Sequence, residues 1–153
     1  MTTSPSNKRR GNAAIEVAVL SPWIFFLFLG VFDSGFYMYG AISTANAARV
    51  AALYTSSGPN TLDDSFGACQ IALEEMRQLP NVKAGVSCPA SCAAGTACTA
   101  GPVTFTAVSM GAGADGSPAS QVTVQYQTMQ LITLPGFAGQ MTLKRTVQMR
   151  ERL

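Results

Sequence analysis

A single carboxylate, Glu16, stands inside an apolar run that reads KRRGNAAIEVAVLSPWIFFLFLGVF over residues 8–32. A charged side chain within a membrane-length segment is costly and by default marks function. Glu16 lies five residues past Gly11, and Gly11 follows three cations, Lys8, Arg9 and Arg10. The second group able to do chemistry is Cys69, Cys88, Cys92 and Cys98, all of which follow the apolar run. An even number of cysteines in a small domain points to disulfides in an oxidising compartment. Zinc is the rival, but Cys88-x3-Cys92-x5-Cys98 lacks the CxxC pairs of structural zinc sites. Three connectivities are possible, and the working expectation is Cys69–Cys88 with Cys92–Cys98.

Other chemistry finds no residues to carry it. The chain has no histidine, so the usual general base and the commonest metal ligand are missing. It has no GxSxG and no phosphate-binding loop. Glu74 and Glu75 are neighbours on a helical segment, point in different directions and read as solvated. Asp63 and Asp64 read as helix-start charges. The scattered methionines, such as Met76 and Met149, fit packing better than copper. These absences point away from an enzyme and from any cofactor. The cations gather at the two ends, with Lys144, Arg145, Arg150 and Arg152 at the second. There they alternate with apolar residues like the solvated face of a strand, so nucleic acid is not an expected partner.

The elements that must position Glu16 begin with a helix. Residues 13–32 hold one charge, and at ~1.5 Å per residue they span about 30 Å, the thickness of a bilayer core. Pro22 costs one internal hydrogen bond, which membrane helices tolerate. Asp33 ends the run, and Phe36, Tyr37 and Tyr39 follow as an interfacial aromatic belt. The basic start holds the short leader in the cytoplasm by the positive-inside rule, which puts the rest outside. AISTANAARVAA at 41–52 is alanine-rich and free of proline and glycine, so the helix continues. Ile42, Ala45, Arg49 and Ala52 share one stripe of it. Gly58 suits a C-cap, and Pro59 cannot continue the helix.

The cysteines need a head to hold them. TLDDSFGACQIALEEMRQLP at 61–80 reads as a second, amphipathic helix, capped by Thr61 or Asp63 and stopped by Pro80. Its buried stripe is Leu62, Phe66, Cys69, Leu73 and Met76. The remainder alternates like strands: Val82, Ala84 and Val86; Val103, Phe105 and Ala107; Val122, Val124 and Tyr126; Met141, Leu143, Val147 and Met149. MGAGADGSPAS at 110–120 reads as a flexible turn, and Phe137 fills a corner of the core. The expected class is α+β: a long N-terminal transmembrane helix, a second amphipathic helix and a small antiparallel sheet head.

Three readings of the N-terminus compete. A secretory signal peptide has too short a core and no place for Glu16. A plain signal anchor gives Glu16 no role. A type IV prepilin-like leader accounts for Gly11, Glu16 and the basic start together. Residues 9–52 resemble the N-terminal motif of TadE-like proteins, the minor pseudopilins of tight-adherence (Tad/Flp) pilus systems. The resemblance rests on Arg9 to Gly11, Ala13, Glu16, Pro22, Asp33 to Gly35, and Asn46 to Arg49. Val17 stands where an aromatic residue is common. The closing VTVQY, LPGFAG and LKRTVQMRE resemble the family's last strands more weakly.

The resemblance implies a leader at 1–11, a long helix at 12–57 with its membrane part at about 13–32, and a periplasmic head at 58–153. It implies cleavage by a prepilin peptidase between Gly11 and Asn12, after which Glu16 is the fifth residue and faces the new amine of a neighbouring subunit. The implied function is a minor pseudopilin in pilus assembly. The implied partners are the peptidase, TadF-like pseudopilins, the major Flp pilin, the inner-membrane platform and the lipid bilayer. The implied location is the inner membrane, with the head in the periplasm, or in the pilus or at its tip. The alternative is a membrane-anchored periplasmic binding or adhesion module unrelated to pili.

Overall fold

Apolar and then alanine-rich sequence, with no Gly-Pro pair until Gly58-Pro59, gives one long helix, α1 (Lys8–Thr55). A computed structural model describes residues 8–112, 116–131 and 139–151, with side chains from residue 13 onward. Pro22 sits inside α1 and does not end it. The end comes through hydroxyls. Thr55 Oγ1 donates to Ala52 O (3.1 Å), Ser56 Oγ to Leu53 O (3.0 Å) and Ser57 Oγ to Tyr54 O (2.7 Å). Carbonyls that a helix leaves without partners are thereby satisfied. Gly58 is not left-handed, so the cap expected of it is supplied by Thr55, Ser56 and Ser57.

Two compact units divide the chain, Met1–Phe36 and Tyr37–Leu153. The second half of α1 therefore belongs to the fold of the head. Gly40, Thr44, Ala47, Ala48, Ala51, Ala52 and Thr55 are all buried there, at the spacing of one helical stripe. All are small. A Cβ at Gly40 would stand 3.3 Å from Tyr126 Cε1 and 3.4 Å from Leu143 Cδ1, so the helix backbone lies close to the sheet. Thr55 Oγ1 and Ser120 Oγ share a buried 2.7 Å hydrogen bond at the stripe's far end. The stripe of Ile42, Ala45, Arg49 and Ala52 is not the packed one: Ala52 is buried, but Ile42 and Arg49 are exposed.

The second helix, α2 (Ser65–Met76), is shorter than its periodicity suggests. Its N-cap is Asp64, not Thr61 or Asp63; the carboxylate accepts from Gly67 N at 2.9 Å. Thr61 serves the preceding turn, accepting from Asp64 N. Ser65, Ala68, Cys69, Ala72, Leu73 and Met76 face inward. Ser65 Oγ pairs with the backbone of Ala107 and ties α2 to the sheet. Leu62 is buried from outside the helix, and Phe66 is half-buried.

Four antiparallel strands follow in the order β1-β2-β3-β4: β1 (Ala97–Ala100), β2 (Val103–Ala112), β3 (Pro118–Gln127) and β4 (Thr142–Arg150). The strand expected around Val82, Ala84 and Val86 does not form. Gly85 turns there with φ +102° and Val86 N bonds back to Lys83 O, which makes a tight turn in place of an extended run. Val82 still reaches the core. The edge position goes instead to the small residues of β1, which pairs Cys98 with Phe105 across a turn at Gly101 (φ +58°).

Val103, Phe105, Ala107, Val122, Val124 and Tyr126 alternate inward and meet both helices in one core. Met141 lies before β4 and is half-exposed, so it is not part of the inward face. Cys69 is bonded to Cys88 and Cys92 to Cys98. The irregular stretch between α2 and β1 is thus tied at one point to each. Phe137 and part of the 110–120 turn lie outside the described residues.

Candidate functional site

The first half of α1 has no apolar partner of its own. From residue 13 to residue 28 every side chain is exposed, with Trp23 at 72%. Phe25 pairs with Phe26 and Phe28 with Phe32 along the helix. A helix that is apolar all round needs lipid or other helices around it, and this one is long and apolar enough to cross a membrane. Glu16 lies exposed on it, beside Ile15, Val19 and Leu20, which form a shallow apolar hollow. It has no ionic partner among the described residues. The backbone of Gly11 and Asn12 lies in the first turns of α1; their side chains are outside the described set. A second carboxylate on α1 is also unmet: Asp33 is buried, and its Oδ1 has no hydrogen-bond partner among the described residues.

Past residue 36 the helix has two faces of opposite use. The small stripe packs inward. On the other side Met38 (67% exposed), Ile42 (60%) and Leu53 (47%) stand in the open at helical spacing. Around Leu53 this ridge becomes a shallow groove, lined by Asn46, Arg49, Val50 and Leu53 of α1, Glu75 of α2 and Met149 of β4. Sequence reading of this segment missed the ridge. Its signal was present: large apolar residues at 38, 42, 50 and 53 against small ones at 44, 47, 48, 51 and 52.

The head holds its shape through polar contacts placed at junctions. Tyr54 donates to Asp64 Oδ2 at 2.8 Å, which joins the end of α1 to the cap of α2. That hydrogen bond, with burial and the carboxylate's charge, raises the Tyr54 pKa above its ordinary value. A Cβ on Gly67 would collide with the Tyr54 ring and the Asp64 carboxylate, so glycine is required at this crossing. Tyr126 donates to Asn81 Oδ1, and Asn81 Nδ2 donates to Gln127 O at 2.8 Å. Burial raises the Tyr126 pKa, against the smaller lowering effect of Asn81. Tyr37 donates to Gly139 O at 2.7 Å.

The residues singled out by sequence do not converge on one catalytic centre. Gly11, Asn12 and Glu16 share the start of α1; the four cysteines are bonded within the head. Among the described residues no three His, Cys, Asp or Glu gather to hold a metal. The start of α1 leaves its apolar surface exposed, and the cysteine cross-links lie within the head.

No curated protein and no solved structure matches the chain. One family model does, over residues 11–53, and its description is TadE-like protein. The match begins at Gly11 and ends at Leu53, within α1. Over residues 11–53, most of its long helix, the chain is similar to the TadE-like family.

Proposed function

We propose that the protein is a minor pseudopilin, cut by a prepilin peptidase between Gly11 and Asn12 and assembled into a Tad-type pilus machinery through α1. The observation that carries this reading is the exposed apolar surface of α1, where Glu16 has no ionic partner among the described residues, together with the exposed Met38, Ile42 and Leu53. A simple anchor needs only the membrane part. An assembly helix needs a face for neighbours beyond it, and the small inward stripe leaves one open.

In this function Glu16 meets the amine that cleavage creates at Asn12 of an adjoining subunit. Both charges are expensive in lipid, so the pair forms in one register and sets the axial position of the helices. The candidate neighbours are TadF-like pseudopilins, the major Flp pilin and the membrane platform. The three cations before Gly11 favour a cytoplasmic leader and a periplasmic head, where Cys69–Cys88 and Cys92–Cys98 would persist.

Mass spectrometry of the native N-terminus tests processing: the mature chain begins at Asn12, and an intact chain in cells that hold the peptidase overturns the reading. Glu16→Ala tests assembly in the same cells. Membrane insertion is retained and recovery of partner pseudopilins falls severalfold; recovery at the level of the unaltered chain defeats the pairing argument.

A further inference from the structure

The groove on the outer side of α1 carries one cation and one carboxylate on an apolar floor. Val50, Leu53 and Met149 supply the floor, Arg49 the cation and Glu75 the carboxylate. Neither charge has an ionic partner among the described residues; the ion pair nearby is Arg77 with Glu74, at 2.7 Å. Anionic lipid does not fit a site that presents Glu75 beside Arg49. A groove with one charge of each sign is complementary to itself. We infer that a second copy of this chain docks there about a two-fold axis, with Arg49 of each copy meeting Glu75 of the other.

The membrane constrains this geometry. Two-fold dimers use the same patch on both chains. Copies anchored alike in one bilayer can be related by a two-fold axis only along the membrane normal. A residue then pairs only with a residue at its own height. Arg49 and Glu75 line one groove on different helices, and the proposed dimer requires them to stand at one height. Leu53 and Val50 approach the axis and bury apolar area that is exposed in the single chain. The inference rests on α1 being a membrane-anchored assembly helix, and it names the first partner as the chain itself.

Charge exchange in the full-length chain, reconstituted in lipid nanodiscs or bicelles, tests it. Two differently tagged forms are mixed, and co-isolation is followed on dilution with lipid. Arg49→Glu alone gives a chain with two carboxylates in the groove, and Glu75→Arg alone gives two cations. Each single variant associates with itself about tenfold more weakly, because two exposed pairs become repulsive. Mixed together, R49E and E75R recover the unaltered affinity, since both cross-pairs form again. The double variant recovers it too. Retained disulfides and unfolding midpoints establish that the variants fold.

Three outcomes overturn the inference: unaltered chain that stays monomeric at every lipid dilution, single variants that self-associate normally, or a mixed pair no tighter than either variant alone. Heterotypic capture that needs Arg49 while the purified chain stays monomeric assigns the groove to another protein and also overturns it. The result is separable from the processing reading. An uncut N-terminus would defeat peptidase cleavage and leave the charge-exchange pattern standing.

Discussion

Tyr54 and Tyr126 are the residues at which acid–base chemistry reaches the fold. Tyr54 donates a hydrogen bond to Asp64, and Tyr126 is fully buried with its hydroxyl on Asn81. Both have pKa values raised on folding. A group that holds its proton more tightly when folded adds stability below its unfolded pKa, about 10 for tyrosine. That contribution disappears as pH climbs through the raised folded value. The unfolding midpoint therefore holds steady through neutral pH and falls above about pH 10. Tyr54→Phe and Tyr126→Phe each flatten the fall. Thermal unfolding between pH 8 and 11.5 checks this, and an unchanged alkaline slope in both variants excludes the two tyrosines as its source. Glu16 was legible as a lone carboxylate on an apolar helix from its type and place alone. The Asp64 cap was not, because Asp63 and Asp64 are equally good caps by composition, and the approach of Tyr54 selects between them.

At the scale of elements, the contact of α1 with the sheet depends on the absence of side-chain bulk. Gly40→Val would place branched carbons where 3.3 Å to the Tyr126 ring is already tight. Overpacking of this kind costs about 1–3 kcal/mol, and urea unfolding of the reconstituted chain measures it. A loss below a few tenths of that range would mean that the helix stands farther from β3 and β4. The strands β3 and β4 were readable because their alternation runs for nearly their whole length. Residues 82–86 alternate equally well but briefly, and Gly85 with the bond from Cys88 to Cys69 draws them into turns. β1 was invisible because ACTA carries no large apolar residue; pairing with Phe105 and Val103 makes it a strand. Periodicity also lengthened α2, since Leu62 and Leu79 are both buried yet lie in turns at its two ends.

For the whole molecule, the decisive question is what surrounds the first half of α1. The chain has one tryptophan, Trp23, and it lies exposed within that half. In bilayers its emission is blue-shifted and is quenched by lipids brominated on the acyl chains. Red emission untouched by such lipids would refute a spanning helix. The same reconstituted sample serves the charge-exchange experiment, so insertion and dimer formation are read independently.

Sequence alone determined the long helix, its apolar first half, the lone Glu16, the cysteine-bearing head and its α+β class. Those features depend on local composition and on repeats of 3.6 or 2, which any short window reveals. Tertiary structure decided which side of α1 turns inward. By hydrophobicity Ile42 and Leu53 outrank Ala47, Ala48, Ala51 and Ala52, yet the alanines are buried and the larger residues stand outside. The reason is distance: only small residues let the helix come within contact of Tyr126 and Leu143. That close packing turns the larger apolar residues outward, beside Arg49, where a partner can reach them.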